Sequence, residues 1–124
     1  MHGEPYEISE RVAGQIARAR AAQRPIVAIG TTVVRALEDS AMKSTARGSA
    51  SVVVPGKAEA DVFIYPGFSF RVVSQMLTNF HLPRSSLLVM VSAFAGREEV
   101  LAAYQHAIAQ RYRFYSYGDC TLIR

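Results

Sequence analysis

The sequence contains one cysteine, no tryptophan and no apolar run long enough to cross a membrane. Cys120 has no second cysteine with which to form an internal disulfide, which is typical of a protein in a reducing compartment. Polar residues follow Met1 directly, so we expect no signal peptide. These absences predict a cytoplasmic protein without a membrane partner.

Several motifs of catalysis are absent as well. The sequence contains no G-x-G-x-x-G, no G-x-x-x-x-G-K-[ST] and no G-x-S-x-G, so we expect neither a dinucleotide site, nor a P-loop, nor a nucleophile elbow. The three histidines and the one cysteine lie far apart and lack the spacing of metal ligands. The sequence therefore predicts no metal site.

The composition is that of one globular domain or a piece of one, since half of the 124 residues are hydrophobic and 19% are charged. The net charge of +4 permits a nucleic-acid partner, although it is more typical of an ordinary, mildly basic surface. No linker or internal repeat indicates a second domain. Segments of strand and helix character alternate, and this alternation predicts an α/β fold.

The apolar pattern predicts the elements of the chain in order. They are an extended segment over 1–8, a helix over 10–22 capped by Ser9, a strand over 26–29, a helix over 33–41, a loop over 42–50, strands over 51–54 and 61–65 around a turn, a helix over 72–80, a helix over 98–112 and a strand–turn–strand over 114–123. The continuously apolar strand over 26–29 is expected to be buried on both faces. The run 86–95 fits a buried helix started by Pro83 and Ser85 or a buried strand, and its length favours the helix. The helix over 98–112 is amphipathic and is expected to turn an apolar face inward: Val100, Leu101, Tyr104 and Ile108.

The segment Gly30-Thr31-Thr32 lies between a predicted strand and a predicted helix. The first N–H groups of a helix are unpaired and its dipole favours negative charge, so this turn is a candidate anion site. Arg35, in the first helical turn, can add a charge-assisted hydrogen bond. The same pattern is typical of a simple glycine turn with a threonine N-cap, and on its own it favours that second interpretation.

The segment from Thr78 to Ser85 places an amide, an imidazole and a guanidinium beside a proline and an apolar run. Polar groups of such different chemistry beside a rigid core segment are typical of a site. His81 can contact a ligand or transfer a proton, since the free pKa of histidine is about 6.5, or it can satisfy the last carbonyls of a helix. Asn79 has the same two interpretations.

Aromatic residues surround the turn at Pro66-Gly67. Tyr65, Phe68 and Phe70 can stack a base where glycine allows a close backbone approach, but such rings are more often part of a core. A second group mixes rings with arginines over 111–117. This group is as typical of an RNA surface as of a strand with one aromatic face turned inward.

Six motifs, in order along nearly the whole chain, resemble one family. They are Met1-His2-x-Glu4-x-Tyr6, Gly30-Thr31-Thr32-x-Val34-Arg35-Ala36-Leu37-Glu38, Phe63-Ile64-Tyr65-Pro66-Gly67, Thr78-Asn79-Phe80-His81-Leu82-Pro83, Val91-Ser92-Ala93-Phe94-Ala95-Gly96 and Tyr112-Arg113-Phe114-x-Ser116-Tyr117-Gly118-Asp119. The chain resembles the S-adenosylmethionine:tRNA ribosyltransferase-isomerases of queuosine biosynthesis. One such motif is weak, whereas six in order are highly specific.

The resemblance implies a reaction. The family transfers the ribosyl part of S-adenosylmethionine to the aminomethyl group of 7-aminomethyl-7-deazaguanine in a tRNA anticodon. It rearranges that ribosyl to an epoxycyclopentane, giving epoxyqueuosine and releasing adenine and methionine. The chemistry requires a base for a proton beside the sulfonium, a well-placed amine and a proton donor for the departing adenine. S-adenosylmethionine is then a substrate, and no metal or redox cofactor is implied.

The chain departs from the family pattern in sequence and in length. Gly3 and Pro5 stand where the family usually has serine and tryptophan, Phe68 where it has tyrosine, and Arg84 where it has lysine, which changes the geometry of the charge. Family enzymes are much longer. The resemblance therefore implies that residues 1–124 are a single C-terminal segment of the catalytic α/β domain.

As a fragment of a larger α/β domain, the chain is expected to form an incomplete sheet flanked by helices. An incomplete sheet has an open edge, which we expect to be covered by another copy, as in a homo-oligomer, or by an N-terminal portion of a longer chain. We expect the segment to be inactive by itself.

The resemblance also implies three groups of site residues that line one pocket. The first group would hold an anion such as the methionine carboxylate: Gly30, Thr31, Thr32 and Arg35. The second would frame adenine or the modified base: Tyr65, Gly67 and Phe68. The third would border the reaction centre, with His81 or Glu4 transferring protons: His81, Glu4, Asn79 and Arg84. The alternative functions are a truncated, catalytically inactive module that binds S-adenosylmethionine or tRNA, and a fragment that assembles with a separate N-terminal chain.

Overall fold

A computed structural model describes residues 3–81, 85–114 and 118–124. Within these ranges the chain forms five strands and four helices. In chain order they are β1 (Glu4–Ile8), α1 (Glu10–Ala21), β2 (Val27–Ile29), α2 (Thr31–Ala46), β3 (Gly56–Ala60), β4 (Gln75–Asn79), α3 (Ser86–Ala95), α4 (Arg97–Ala109) and β5 (Cys120–Ile123). Small sheets with flanking helices confirm the predicted α/β class. In the described ranges no helix combines the length and the apolar character that a membrane span requires.

The larger sheet has three strands in the order β2-β4-β5. Strand β2 runs parallel to β4 with Ile29 opposite Leu77, and β5 runs antiparallel to β4 with Cys120 opposite Asn79. The ends of β2 and β4 and the start of β5 therefore meet at one edge, which we call the carboxyl edge. A separate antiparallel pair joins β1 to β3.

One face of the three-stranded sheet is packed and the other is open. Ala28 and Met76 are buried on the packed face, whereas Val27, Ile29 and Leu122 are 48%, 68% and 46% exposed on the other. The prediction that the strand over 26–29 is buried on both faces is therefore wrong. These three apolar residues lie at the surface, and Leu77 between them is partly exposed.

Helix α2 is longer than the sequence pattern predicts. The loop expected over 42–50 is helical as far as Ala46. Its small polar side chains are compatible with a helix because they have partners: Ser44 Oγ donates to the carbonyl of Ser51, and Lys43 pairs with Asp39 one turn earlier at 2.8 Å. A polar helix face that is tied to the backbone of its neighbours thus resembles a loop when only hydrophobicity is considered.

The helix predicted over 72–80 is wrong, because residues 75–79 form the central strand β4. Their burial alternates, with Met76 and Thr78 inside, and both neighbouring strands pair with them. The strands expected over 51–54 and 61–65 are also wrong. These segments are irregular, and β3 lies between them, where the sequence indicated a turn, because it pairs with the distant β1.

The predicted helix starts are confirmed by their caps. Ser9 Oγ accepts a hydrogen bond from the N–H of Val12 at 3.1 Å, and Ser85 Oγ accepts one from Leu88 at 3.1 Å. The run over 86–95 is thereby a helix rather than a strand. Helix α4 ends three residues earlier than predicted. The predicted tail is described only in part, since residues 115–117 lie outside the described ranges and β5 is its second strand.

The prediction of the buried face of α4 is half right. Val100 and Tyr104 are buried as expected, and Tyr104 packs edge-to-face on Phe80 with ring centroids 5.2 Å apart. Leu101 and Ile108, which were also expected inside, are exposed.

Candidate functional site at the carboxyl edge

The carboxyl edge brings part of two predicted groups of site residues together. Strands β2 and β4 are parallel, so the turn that begins at Gly30 and the segment from Asn79 to His81 leave the sheet at the same end. The backbone N–H of Gly30 donates to the carbonyl of Leu77 at 2.8 Å, which joins the two segments directly. In open α/β sheets, ligands bind at this end of the strands.

Gly30 turns the chain from strand to helix within one residue. Its φ of 95° and ψ of 148° lie in a region that is essentially restricted to glycine. It is the N-cap of α2, without a side-chain cap hydrogen bond, so the predicted alternative of a threonine N-cap is wrong. Thr31 and Thr32 form the first helical positions, where the N–H groups of a helix lack intrahelical acceptors and the helix dipole favours an anion.

His81 is held at the carboxyl edge from two sides. Its Nε2 shares a hydrogen bond of 2.8 Å with Thr78 Oγ1, and its backbone N–H donates to Tyr104 Oη at 2.7 Å. Burial lowers the pKa of His81 below its usual value and raises the pKa of Tyr104. The imidazole is therefore neutral near pH 7 and can accept a proton.

Asn79 connects the edge to the end of the chain. Its Nδ2 donates to the carbonyl of Asp119 at 3.4 Å. Asp119 in turn closes a loop, since its N–H donates to the carbonyl of Arg113 and its Oδ2 accepts from the N–H of Arg113 at 2.7 Å. Arg84, another member of this predicted group, lies outside the described residues.

Arg35 and Glu4 contact each other away from the carboxyl edge. The Arg35 guanidinium is 3% exposed, pairs with the Glu4 carboxylate through Nη1, and donates through Nη2 to the carbonyls of Ala60 and Val62 at 3.3 and 3.1 Å. Its Nε has no hydrogen-bond partner among the described residues. The structure thus brings Arg35 to β1 and β3, and not to the turn at Gly30.

Tyr65, Gly67 and Phe68 form a tight turn around Pro66. The N–H of Phe68 donates to the carbonyl of Tyr65 at 3.0 Å, and Gly67 has a φ of 99°, as the third position of a type II turn requires. The ring of Tyr65 stacks on that of Phe63 with centroids 5.9 Å apart and an interplanar angle of 22°. These two rings are 54% and 47% exposed, so they present an aromatic surface to solvent.

This aromatic surface borders a groove of about 430 Å³ beside α2. Its polar lining includes Asp39, which accepts hydrogen bonds from Tyr6 Oη at 2.8 Å and from the N–H of Asp61. Burial raises the pKa of Asp39, but the hydrogen bonds from Lys43, Tyr6 and Asp61 outweigh burial, and the net pKa is lowered. Burial and the Asp39 carboxylate together raise the pKa of Tyr6.

The predicted site residues do not share one pocket in the described part of the chain. The groove near Tyr65 and Phe68 is lined by α2 residues from Asp39 to Ala46, whereas Gly30 lies before the first turn of that helix. Ten helical residues correspond to about 15 Å. The expected site is thus divided into a carboxyl-edge group and an aromatic group at the two ends of α2.

Sequence reasoning gave no role to Glu38, which is completely buried on α2. Its carboxylate accepts hydrogen bonds from the backbone N–H groups of Arg71, Val72 and Val73 at 2.7, 2.9 and 2.8 Å. These residues lead into β4, so Glu38 fixes the strand that carries Asn79. An acidic residue among the apolar positions of a helix was the available signal. Within the described ranges, no group of three His, Cys, Asp or Glu residues could hold a metal ion.

Comparison with known proteins identifies relatives over the whole chain. The profile of a family described as "Queuosine biosynthesis protein" matches residues 1–123. The chain is 49% identical over 124 residues to the S-adenosylmethionine:tRNA ribosyltransferase-isomerase of Natranaerobius thermophilus, and 57% identical over 124 residues to that of Sorangium cellulosum. The match covers 100% of this chain in both cases, but 34% and 32% of the relatives.

The fold agrees with a solved relative. The crystal structure of S-adenosylmethionine tRNA ribosyltransferase from Thermotoga maritima superposes with a TM-score of 0.81 at 41% identity, covering 97% of this chain and 40% of that one. The chain therefore spans about a third of the length of the curated relatives it matches. The profile match over nearly all residues, the sequence identity and the shared fold agree: this chain belongs to the queuosine biosynthesis protein family.

Proposed function

We propose that the chain is the C-terminal segment, residues 1–124, of the catalytic α/β domain of a tRNA-modifying enzyme in the cytoplasm. In this proposal the enzyme transfers the ribosyl moiety of S-adenosylmethionine to 7-aminomethyl-7-deazaguanine in tRNA. It isomerises that ribosyl to give epoxyqueuosine-tRNA, with adenine and methionine as the leaving products. S-adenosylmethionine is a substrate in this scheme, and no separate cofactor takes part.

The observation that carries the proposal is the junction at the carboxyl edge. There the helix start at Gly30 is hydrogen-bonded to β4, and His81 follows the end of that strand with its imidazole on Thr78 and its pKa lowered by burial. S-adenosylmethionine has a carboxylate to bind and an acidic C–H beside its sulfonium. We assign the carboxylate to the N–H groups at Gly30, Thr31 and Thr32, and the proton transfer to His81, with Asn79 at its side.

We assign the binding of the nucleobase, adenine or the modified base of the tRNA, to the aromatic group. Tyr65 and Phe68 border one groove. Gly67 between them has no side chain, so a ligand can approach the backbone closely there. The half-exposed stack of Phe63 on Tyr65 adds a ring that was not among the predicted site residues. Base–aromatic stacking contributes about 1–3 kcal/mol per base, which is enough to orient a nucleobase.

Two of the expected residues take a different part in this proposal. Arg35 has a structural part, because its buried guanidinium connects α2 to Glu4 of β1 and to the carbonyls of Ala60 and Val62. Glu4 stays partly exposed at the other end of this ion pair and is the second candidate for proton transfer. Arg84 is proposed to border the reaction centre on the strength of its motif alone.

The carboxyl-edge and aromatic groups lie about 15 Å apart along α2, so a complete site requires further protein or a substrate that spans both. The further protein is present in the longer chains of the family, and tRNA is large enough to span both groups. A truncated module that binds S-adenosylmethionine or tRNA without reaction is the alternative. It is favoured by the one-third coverage of the relatives. Calorimetry of this chain with S-adenosylmethionine, followed by an adenine-release assay with precursor tRNA, distinguishes the two.

Replacement of His81 by alanine tests the proton transfer in a full-length relative that carries the same motif. General acid–base groups contribute about 10²–10⁴-fold to a rate, so adenine release should fall at least about a hundredfold in kcat, with a small change in KM. The matched control is His106→Ala, because His106 lies on the exposed side of α4. Unchanged turnover of the His81 variant would remove this residue from the mechanism.

A further inference from the structure

A basic groove lies at the other end of the strands from the carboxyl edge. It has a volume of about 470 Å³ and forms where α1 ends and where β2 and β4 begin. Its lining consists of Arg20, Gln23, Arg24, Pro25, Ser74 and Gln75. These side chains include two cations and two amides and no carboxylate, so the groove suits an anion.

The arginines of this groove have no acidic partners in the described part of the chain. Ion pairs there involve Arg35, Lys43 and Arg113, and none includes Arg20 or Arg24. From position 11 to position 24 the sequence has four arginines and no acidic residue. The positive charge of the groove is therefore free to act on a ligand.

The turn that ends α1 fixes the backbone at both arginines, and a hydrogen bond also holds the side chain of Arg20. Helix α1 ends in a Schellman turn, in which the N–H of Gln23 donates to the carbonyl of Arg20 and the N–H of Arg24 to that of Ala19, with Gln23 at a φ of 55°. Arg20 Nη1 also donates to the carbonyl of Arg71. A cation whose side chain is ordered before binding, as that of Arg20 is, loses less entropy when a ligand arrives.

We propose that this groove binds phosphates of an RNA backbone. Phosphate contacts by arginine fix the position of a nucleic acid without reading its sequence. Strands of three to five residues span about 10–17 Å, so an RNA held here can reach the carboxyl edge with a nucleotide a few positions further along its strand. The identity of the RNA as tRNA rests on the proposed function, whereas the groove and its preference for phosphate do not.

The test is the salt dependence of RNA binding by this chain, with the variants Arg24→Ala and Arg20→Ala/Arg24→Ala. Fluorescence anisotropy with an unmodified anticodon stem-loop measures the affinity between about 50 and about 200 mM salt. Two lost phosphate contacts should lower the slope of log K against log salt by about 1.5–2. The double variant should then lose about tenfold less affinity than the wild type over this range.

The matched control is Arg47→Ala/Arg97→Ala, which removes the same charge at exposed positions outside the groove. Its slope should stay close to that of the wild type. Arg20→Lys/Arg24→Lys should restore the slope, because lysine also contacts phosphate. Among the described residues the Arg24 side chain makes no hydrogen bond, so Arg24→Ala alone remains informative if the double variant unfolds.

The outcomes separate the two proposals. Three results would each overturn the proposal that this groove binds RNA. They are equal slopes for the groove and control variants, no RNA binding by the wild type, and a preference for anionic lipid vesicles over RNA. Because the RNA is unmodified and no turnover is needed, a longer relative that binds RNA through this groove but releases no adenine would instead overturn the proposed function.

Discussion

At the scale of single residues, the environment of His81 makes stability depend on pH. Burial lowers the pKa of its imidazole in the folded protein, whereas in the unfolded chain it lies near 6.5. Below about pH 6.5 the unfolded state therefore binds more protons than the folded state. The free energy of unfolding decreases as the pH is lowered from there to the pKa of His81 in the folded protein. Above that range His81 has no effect.

We predict that the denaturant midpoint of the wild type falls between about pH 7.5 and about pH 5.5, and that His81→Gln reduces this fall. Glutamine keeps a polar group near Thr78 Oγ1 but does not titrate. Urea unfolding followed by circular dichroism at both pH values measures the difference. An equal fall for both proteins would show that His81 is as well solvated when protonated as it is in the unfolded chain.

At the scale of elements, the contact between α2 and the start of β4 is made through one buried carboxylate. Glu38 receives three backbone N–H groups from residues 71–73, and the N–H of Ser74, the next residue, donates to the carbonyl of Ile26 at 3.0 Å. This arrangement sets the register of β4 beside β2. The positions of Asn79 and His81 thus depend on a residue that contacts neither.

We predict that Glu38→Ala lowers the free energy of unfolding by about 3–5 kcal/mol, because three buried N–H donors lose a charged acceptor. Glu38→Gln should cost less, since its amide oxygen still accepts. The control is Glu7→Ala on the exposed side of β1, which should change stability by less than about 0.5 kcal/mol. Chemical denaturation measures all three, and a small effect of Glu38→Ala would mean that water replaces the carboxylate.

At the scale of the whole molecule, the open face of the three-stranded sheet exposes apolar side chains that are not packed against other residues to the extent that a core requires. Val27, Ile29 and Leu122 expose apolar surface side by side, which in soluble proteins marks a contact with further protein. The β2 and β5 strands also form the two edges of this sheet. These observations support the expectation that additional chain or a second copy completes the fold.

We predict that this 124-residue chain self-associates in a concentration-dependent way, and that Ile29→Lys shifts it towards the monomer. The change should leave the unfolding midpoint of the monomer almost unaltered, because Ile29 is already exposed. Sedimentation velocity measures the association, with Ile108→Lys on the exposed side of α4 as the control. A wild-type chain that stays monomeric at all concentrations would contradict the prediction.

Much of the fold was predictable wherever the signal is local. Ser9 and Ser85 mark helix starts because their hydroxyls cap the N–H groups three residues later. The segment 75–79 was not predictable in this way, since its apolar spacing fits a helix and only pairing with two distant strands makes it a strand. Likewise, the motif around Gly30 marks a strand-to-helix turn, but the direction of Arg35 depends on the carbonyls of Ala60 and Val62.

By itself, the sequence determined the α/β class, the helix caps, the family and the motif residues, because propensity, capping and motif identity are properties of neighbouring residues. Only the tertiary structure decided that Gly30 and His81 meet at one edge, that the aromatic residues lie at the other end of α2, and that one sheet face is open. These features arise from contacts between residues far apart in the chain, and burial and pairing at such distances are set by the whole fold rather than by local pattern.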